Sequence, residues 1–114
     1  MMRGAFEAEK ALYEFIPEHI PRPISFGTYK TRPDLHFYIC EFVDMLDELP
    51  SPVAWGQAVA ALHSRSMGKS PKRKFGFHSA THLANVPIDN SWDSSWEVVW
   101  TRQMKSLMDQ DKAL

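Results

Sequence analysis

The sequence predicts an α+β fold, and three observations carry that prediction. A helical period runs from Phe6 to Ile16, two strand-forming runs follow between residues 24 and 43, and helical periods return in the second half. At 114 residues, 44% hydrophobic and 12% aromatic, the chain is globular in composition and long enough for one small core.

Taken in order, FEAEKALYEFI places Phe6, Leu12, Phe15 and Ile16 near one face of a helix, with Glu7 and Glu9 in its first turn, and Pro17 ends it. Pro17, Pro21 and Pro23 then forbid regular helix and lead an extended chain into a strand at Ile24–Phe26. The run LHFYICEFV, residues 35–43, is rich in strand formers and reads as a largely buried second strand, antiparallel to the first. After DMLDELPSP, Ser51 and Pro52 form a cap and first-turn pair for a helix to about Arg65, with Trp55, Ala58, Val59 and Leu62 at helical spacing. Residues 67–90 show no sustained period and read as a long irregular connection of the kind that is functional or lid-like. A last helix is expected from Asn90 or Ser91. Its stripe of Trp92, Trp96, Trp100 and Met104 reads as core, with stacking on a ligand as the functional alternative.

Composition narrows the function classes. No apolar run approaches the length of a membrane span, and the N-terminus carries acids rather than a secretory apolar region, so a cytoplasmic protein is expected. The single cysteine, Cys40, rules out an internal disulfide and fits a reducing compartment; within a buried strand it reads as an inert packing residue. Net charge is −1, yet Leu49 to Ile88 contains no acid while holding Arg65, Lys69, Lys72, Arg73 and Lys74. That basic stretch reads first as a solvated loop and second as a contact for phosphate, an acidic partner or an import receptor. Nucleic-acid binding would call for more positive charge.

Five histidines are present, and His78 and His82 stand four apart, but no zinc-peptidase glutamate follows His78 and no third ligand lies nearby, so no metal site is expected. There is no glycine-rich phosphate loop and no nucleophile elbow. From the residues alone, no complete active site can be assembled.

The order ICEFVDM, a helix ending AALH, then KFGFH, then NSWDSSWEVVWTRQM resembles the fructosamine kinases, also called ketosamine or protein-ribulosamine 3-kinases. The resemblance runs from Gly4 to about Lys112, and KFGFH with the Asn-x-Trp-x-x-x-Trp spacing is its most specific part. It implies a fragment of a protein-kinase-like fold: residues 1–50 as part of the N-lobe with regulatory helix, strands and hinge, and 51–114 as the helical start of the C-lobe with an insert at 67–90. It also implies ATP and Mg²⁺ as cofactors, a glycated protein or small ketosamine as substrate, and deglycation by phosphoryl transfer. Cys40 would take the gatekeeper position, while the Glu41 carbonyl and Val43 N–H would bond adenine. Phe75, Phe77, His78 and Trp92 would belong to the insert near the sugar, the two rings anchored in an apolar groove and Gly76 letting the chain turn between them. In the family the regulatory helix opens with Gly-Glu, whereas here Ala5 follows Gly4, so the family's ion pair is kept only if Glu7, a half-turn on, substitutes.

A phosphate-clamping lysine, a His-Gly-Asp catalytic loop and a metal-binding aspartate are not found in these residues. The resemblance therefore predicts no catalytic residues, no metal ligands and no phosphoryl transfer from this chain alone. The reading from another class is a non-catalytic interaction or regulatory module built on the same fold.

Overall fold

The computed structural model describes residues 2–111. They group into two compact units, Arg3–Ala5 with the residues from Gly68 on, and Phe6–Met67.

Helix α1, Met2–Phe15, begins a turn before its apolar period does. Glu7 and Glu9 consequently lie in the helix interior, and the first turn carries no acid, which corrects the expectation that they mark its start. The early turn has its own reason: Gly4 is buried, and a Cβ there would collide with the backbone carbonyl of Ala80. Only a residue without a side chain allows so close an approach. At the other end Ile16 N–H still donates to Leu12 O at 2.9 Å before Pro17 stops the ladder.

Within the unit Phe6–Met67, strands β1, Pro23–Thr28, and β2, His36–Cys40, form an antiparallel ribbon. Pro23 pairs with Cys40 and Ser25 with Ile39, so the ribbon is bulged at Ile24. Phe6 of α1 packs on one face, with ring centroids 5.0 Å from Phe26 and 6.2 Å from Tyr38. The second strand is shorter than the 35–43 run and is not largely buried, since Ile39 is 46% exposed and Cys40 half-buried. A two-stranded ribbon with a helix on one face leaves the opposite face open, and period-2 alternation sends Ile39 there. On that face the Phe37 ring lies over Gly27, where a Cβ would come within 2.6 Å of its Cζ, and meets the Tyr29 ring edge-on at 5.4 Å.

Helix α2, Pro52–Ser66, starts as expected: Ser51 Oγ accepts the Ala54 N–H at 3.1 Å and Pro52 occupies the first turn. Its apolar face is only half-covered, with Trp55 63% exposed and no residue of the helix buried. Near its end Arg65 donates to Phe15 O at 2.9 Å and pairs with Glu18 at 2.6 Å, placing a cation on the last carbonyls of α1. That contact lowers the Glu18 carboxyl below its ordinary range, after a larger contribution from backbone N–H donation.

In the other unit, the stretch read as irregular contains a hairpin, β3 Thr81–Leu83 and β4 Val86–Ile88, in register His82 opposite Pro87. Strands of three residues, one with a proline, are too short to show a period. Helix α3, Trp96–Asp111, begins after Trp92 rather than at residue 90. Ser95 is the residue that caps it: its Oγ accepts Val98 N–H at 3.4 Å and its carbonyl Val99 N–H at 3.3 Å, while Asp93 Oδ1 accepts Ser95 N–H at 2.8 Å.

The tryptophan stripe is not the buried face of α3. Trp96 and Trp100 are 53% and 49% exposed, whereas Val99 is 1% exposed where α3 meets β4. At about 100° per residue, Gln103 lies about 40° from Val99, and Trp96 and Trp100 lie about 60° and 100° round the helix. The inward line is thus one valine followed by half-buried polar residues, Gln103, Ser106 and Gln110. No helix among the described residues is long and apolar enough to cross a membrane.

Candidate functional site

The segment after β2 is anchored at one end and open along the rest. Its first residue is tied to the ribbon, Glu41 N–H donating to Arg22 O at 2.9 Å and Arg22 N–H to the Glu41 carboxylate at 3.2 Å. Beyond that anchor the chain runs without helix or strand to Ser51 and every residue from Glu41 to Pro50 is exposed. Val43 N–H has no hydrogen-bond partner among the described residues, and neither does the Glu41 carbonyl. The segment thus leaves one acceptor and one donor two residues apart, beside an anchored strand end. The side chains around them are apolar and outward: Phe42 is 89% exposed and Leu49 95%.

Sequence reasoning missed a feature beside this segment. Tyr38 donates its hydroxyl to Glu9 of α1, a part-buried contact that ties the helix to β2. Burial, and after it the Glu9 carboxylate, push the Tyr38 phenol well above its ordinary range. Glu9 is therefore engaged by a tyrosine, while Glu7 is half-buried on the same helix. The signal in the sequence was a tyrosine two residues before Cys40, on the strand face that alternation turns towards α1.

The insert residues come together around a backbone stitch. Phe75 N–H donates to Asp93 O at 2.8 Å, Asp93 N–H donates back to Phe75 O at 2.9 Å, and Phe77 N–H donates to Asn90 O at 2.9 Å. Gly76 sits between them at φ +139°, and a Cβ on it would lie 2.8 Å from Asn90 O and 2.9 Å from Trp92 Cα. Trp92 thus lies directly against the glycine. Phe75 meets Trp96 edge-on at 5.7 Å and is 46% exposed; Phe77 is half-buried with its ring 4.3 Å from His78.

Asn90, expected as a helix cap, is instead the bracket of this region. Its amide donates to Ser79 O at 3.0 Å and Thr81 Oγ1 at 2.9 Å, and its Oδ1 accepts from Gln103 at 3.0 Å. Asp89 beside it is held below the usual carboxylate range by hydrogen bonds from Ser91 and then by the charge of Arg102. Arg102 Nε lies 3.1 Å from Asp89 Oδ2, an ion pair not aligned as a hydrogen bond, and its guanidinium also donates to Ser91 O.

Among the described residues no three His, Cys, Asp or Glu side chains gather as metal ligands would. His82 lies in β3, its Nδ1 buried and without a hydrogen-bond partner among the described residues, and His78 packs on Phe77. The concavities on α3, lined by residues such as Val98, Thr101 and Lys105, are furrows along one helix and hold neither the hinge segment nor the stitch. The backbone at 41–43 thus offers one unpaired acceptor and one unpaired donor, and among the described residues no carboxylate set gathers for a divalent cation.

Against known families, residues 1–110 match the model described as Fructosamine kinase. No curated protein matches the chain.

Proposed function

This chain belongs to the fructosamine kinase family, and on that premise we propose that residues 40–43 are its adenine-binding hinge. Cys40 stands at the gatekeeper position at the end of β2, the Glu41 carbonyl accepts from the adenine amino group, and the Val43 N–H donates to a ring nitrogen. The observation that carries this reading is the unpartnered, exposed backbone at Glu41 and Val43, set next to an anchored strand end.

The reaction we propose for the whole assembly is transfer of the ATP γ-phosphoryl group to a ketosamine hydroxyl on a glycated protein or small adduct, the first step of deglycation in the cytoplasm. When bound, ATP supplies the phosphoryl group and Mg²⁺ neutralises its developing charge. In this reading residues 1–50 are the N-lobe part, 51–114 the C-lobe part, and Phe75, Phe77, His78 and Trp92 border the sugar. In this reading the 114 residues by themselves bind rather than transfer, because phosphoryl transfer rests on positioned metal carboxylates and no such set gathers among the described residues.

The test is an ATP titration of thermal stability, run on the chain and on Val43→Pro. Proline removes the N–H at an exposed, non-helical position, so the variant should melt with wild type when nucleotide is absent. At a hundredfold excess over Kd, nucleotide should stabilise the chain by about 2.7 kcal/mol, and the variant should need at least tenfold more. A wild-type melting temperature indifferent to ATP would sink the hinge assignment. If the chain nonetheless unfolds cooperatively, the interaction-module reading takes its place, favoured by the exposed Phe42, Met45, Leu46 and Leu49.

A further inference from the structure

The basic run Ser70-Pro71-Lys72-Arg73-Lys74 has no part in the hinge, and its geometry singles out one hydroxyl. We propose that Ser70 is a phosphorylation site for a separate, proline-directed protein kinase that reads the cations following it.

The run folds into a tight turn with Ser70 half-buried at its start. Ser70 Oγ donates to Lys74 O at 2.7 Å and accepts Lys74 N–H at 3.2 Å, while Arg73 N–H donates to Ser70 O at 3.1 Å. Pro71 to Phe75 are all exposed, and Arg73 sits in the left-handed region at φ +51°. Lys72 Nζ rests 5.4 Å over the Trp92 ring. Opening such a turn breaks a few solvent-exposed bonds, so it lies at the low end of local opening free energies and can enter a kinase cleft.

Two chemical features make this serine a substrate. A cleft without an acceptor opposite the next residue penalises any side chain whose backbone N–H would go unpaired there, and proline has no N–H. Cleft carboxylates pair with cations further along, and here Lys72, Arg73 and Lys74 follow in sequence. The chain contains its own comparison, because Ser51 also precedes a proline. There the following residues are Val53, Ala54 and Trp55, none of them a cation and all inside α2, so presenting Ser51 in a cleft means unwinding the first turn of a helix.

In the step itself, Ser70 Oγ attacks the γ-phosphorus of ATP and forms the new O–P bond. The bond from that phosphorus to the β,γ-bridging oxygen breaks, ADP leaves with the electron pair, and the hydroxyl proton passes to the modifying kinase's carboxylate base. The product oxygens can still accept Lys74 N–H but no longer donate to the Lys74 carbonyl. A phosphate of about −2 would take the four-cation patch Lys69, Lys72, Arg73 and Lys74 to about +2.

The experiment incubates the folded 114-residue chain with ATP and a purified proline-directed serine kinase, and maps phosphate by mass spectrometry. A single phosphate on Ser70 is expected, lost in Ser70→Ala and unchanged in Ser51→Ala. Replacing Lys72, Arg73 and Lys74 together by alanine should slow labelling roughly tenfold. Absence of label on the folded chain, or label on Ser51 at a comparable rate, overturns the site. Labelling of the triple variant at the wild-type rate overturns the role given to the cations.

Discussion

The stitch at Phe75–Asp93 and the strip at Glu41–Pro50 are both irregular and both rich in apolar residues, yet they are held in opposite ways. In the stitch, backbone groups pair reciprocally across it, Asn90 satisfies three further partners, and Gly76 allows the chains to touch. In the strip, the fixed point is the Glu41 anchor to Arg22, and Phe42, Met45, Leu46 and Leu49 are each at least 77% exposed. The difference teaches that irregular backbone becomes structure when its polar groups find partners nearby, and stays available for ligands when they do not.

Four variants, one of them a control, sharpen or break that comparison. The largest effect is expected at Gly76→Ala. Its Cβ would press on backbone atoms at 2.8 and 2.9 Å in a conformation that L-residues disfavour, so denaturant unfolding should show a loss of about 2–3 kcal/mol. Gly56→Ala is the control: nothing lies within 4 Å of its Cβ in the interior of α2, and the same exchange should stabilise by about 0.5–1 kcal/mol. Equal effects at the two glycines would mean the stitch is not tight.

A middle effect is expected at Tyr38→Phe, which removes the hydroxyl bond to Glu9 and should cost about 1 kcal/mol. The pH dependence has a definite sign. The folded phenol holds its proton beyond the ordinary tyrosine pKa of about 10, whereas the unfolded phenol releases it there. Wild-type stability should therefore fall as pH rises through about 10, and the variant should lose that part of the slope. An identical alkaline slope in both proteins would remove the bond from the account.

The smallest effect is expected in the strip, where Phe42→Ser with Leu49→Ser should change stability by no more than about 0.5 kcal/mol. A loss above about 1 kcal/mol would show that the strip is packed in solution and that the contrast with the stitch is false.

Much of the fold was legible from local signals. Ser51 and Pro52 announced α2, Pro17 the end of α1, and the β-rich runs the ribbon, because caps, breakers and strand propensity act within a few residues. Family motifs in KFGFH and the tryptophan spacing were legible as well, and the family match over residues 1–110 agrees with them. What could not be read was which side of each element would be covered. The tryptophans looked like core by spacing, but α3 turns Val99 and Gln103 inward, where Gln103 donates its amide N–H to Asn90 Oδ1.

The sequence by itself determined that three helices and the β1–β2 ribbon form, that α1 stops at Pro17 and α2 starts at Ser51–Pro52, and to which family the chain belongs. Tertiary structure alone decided that Asn90 brackets the stitch instead of capping a helix, that Tyr38 engages Glu9, and that β2 lies open on one face. Those outcomes depend on partners between 9 and 29 residues away. Periodicity measures how a residue is placed on its own element, whereas burial and pairing depend on what the rest of the chain brings against it.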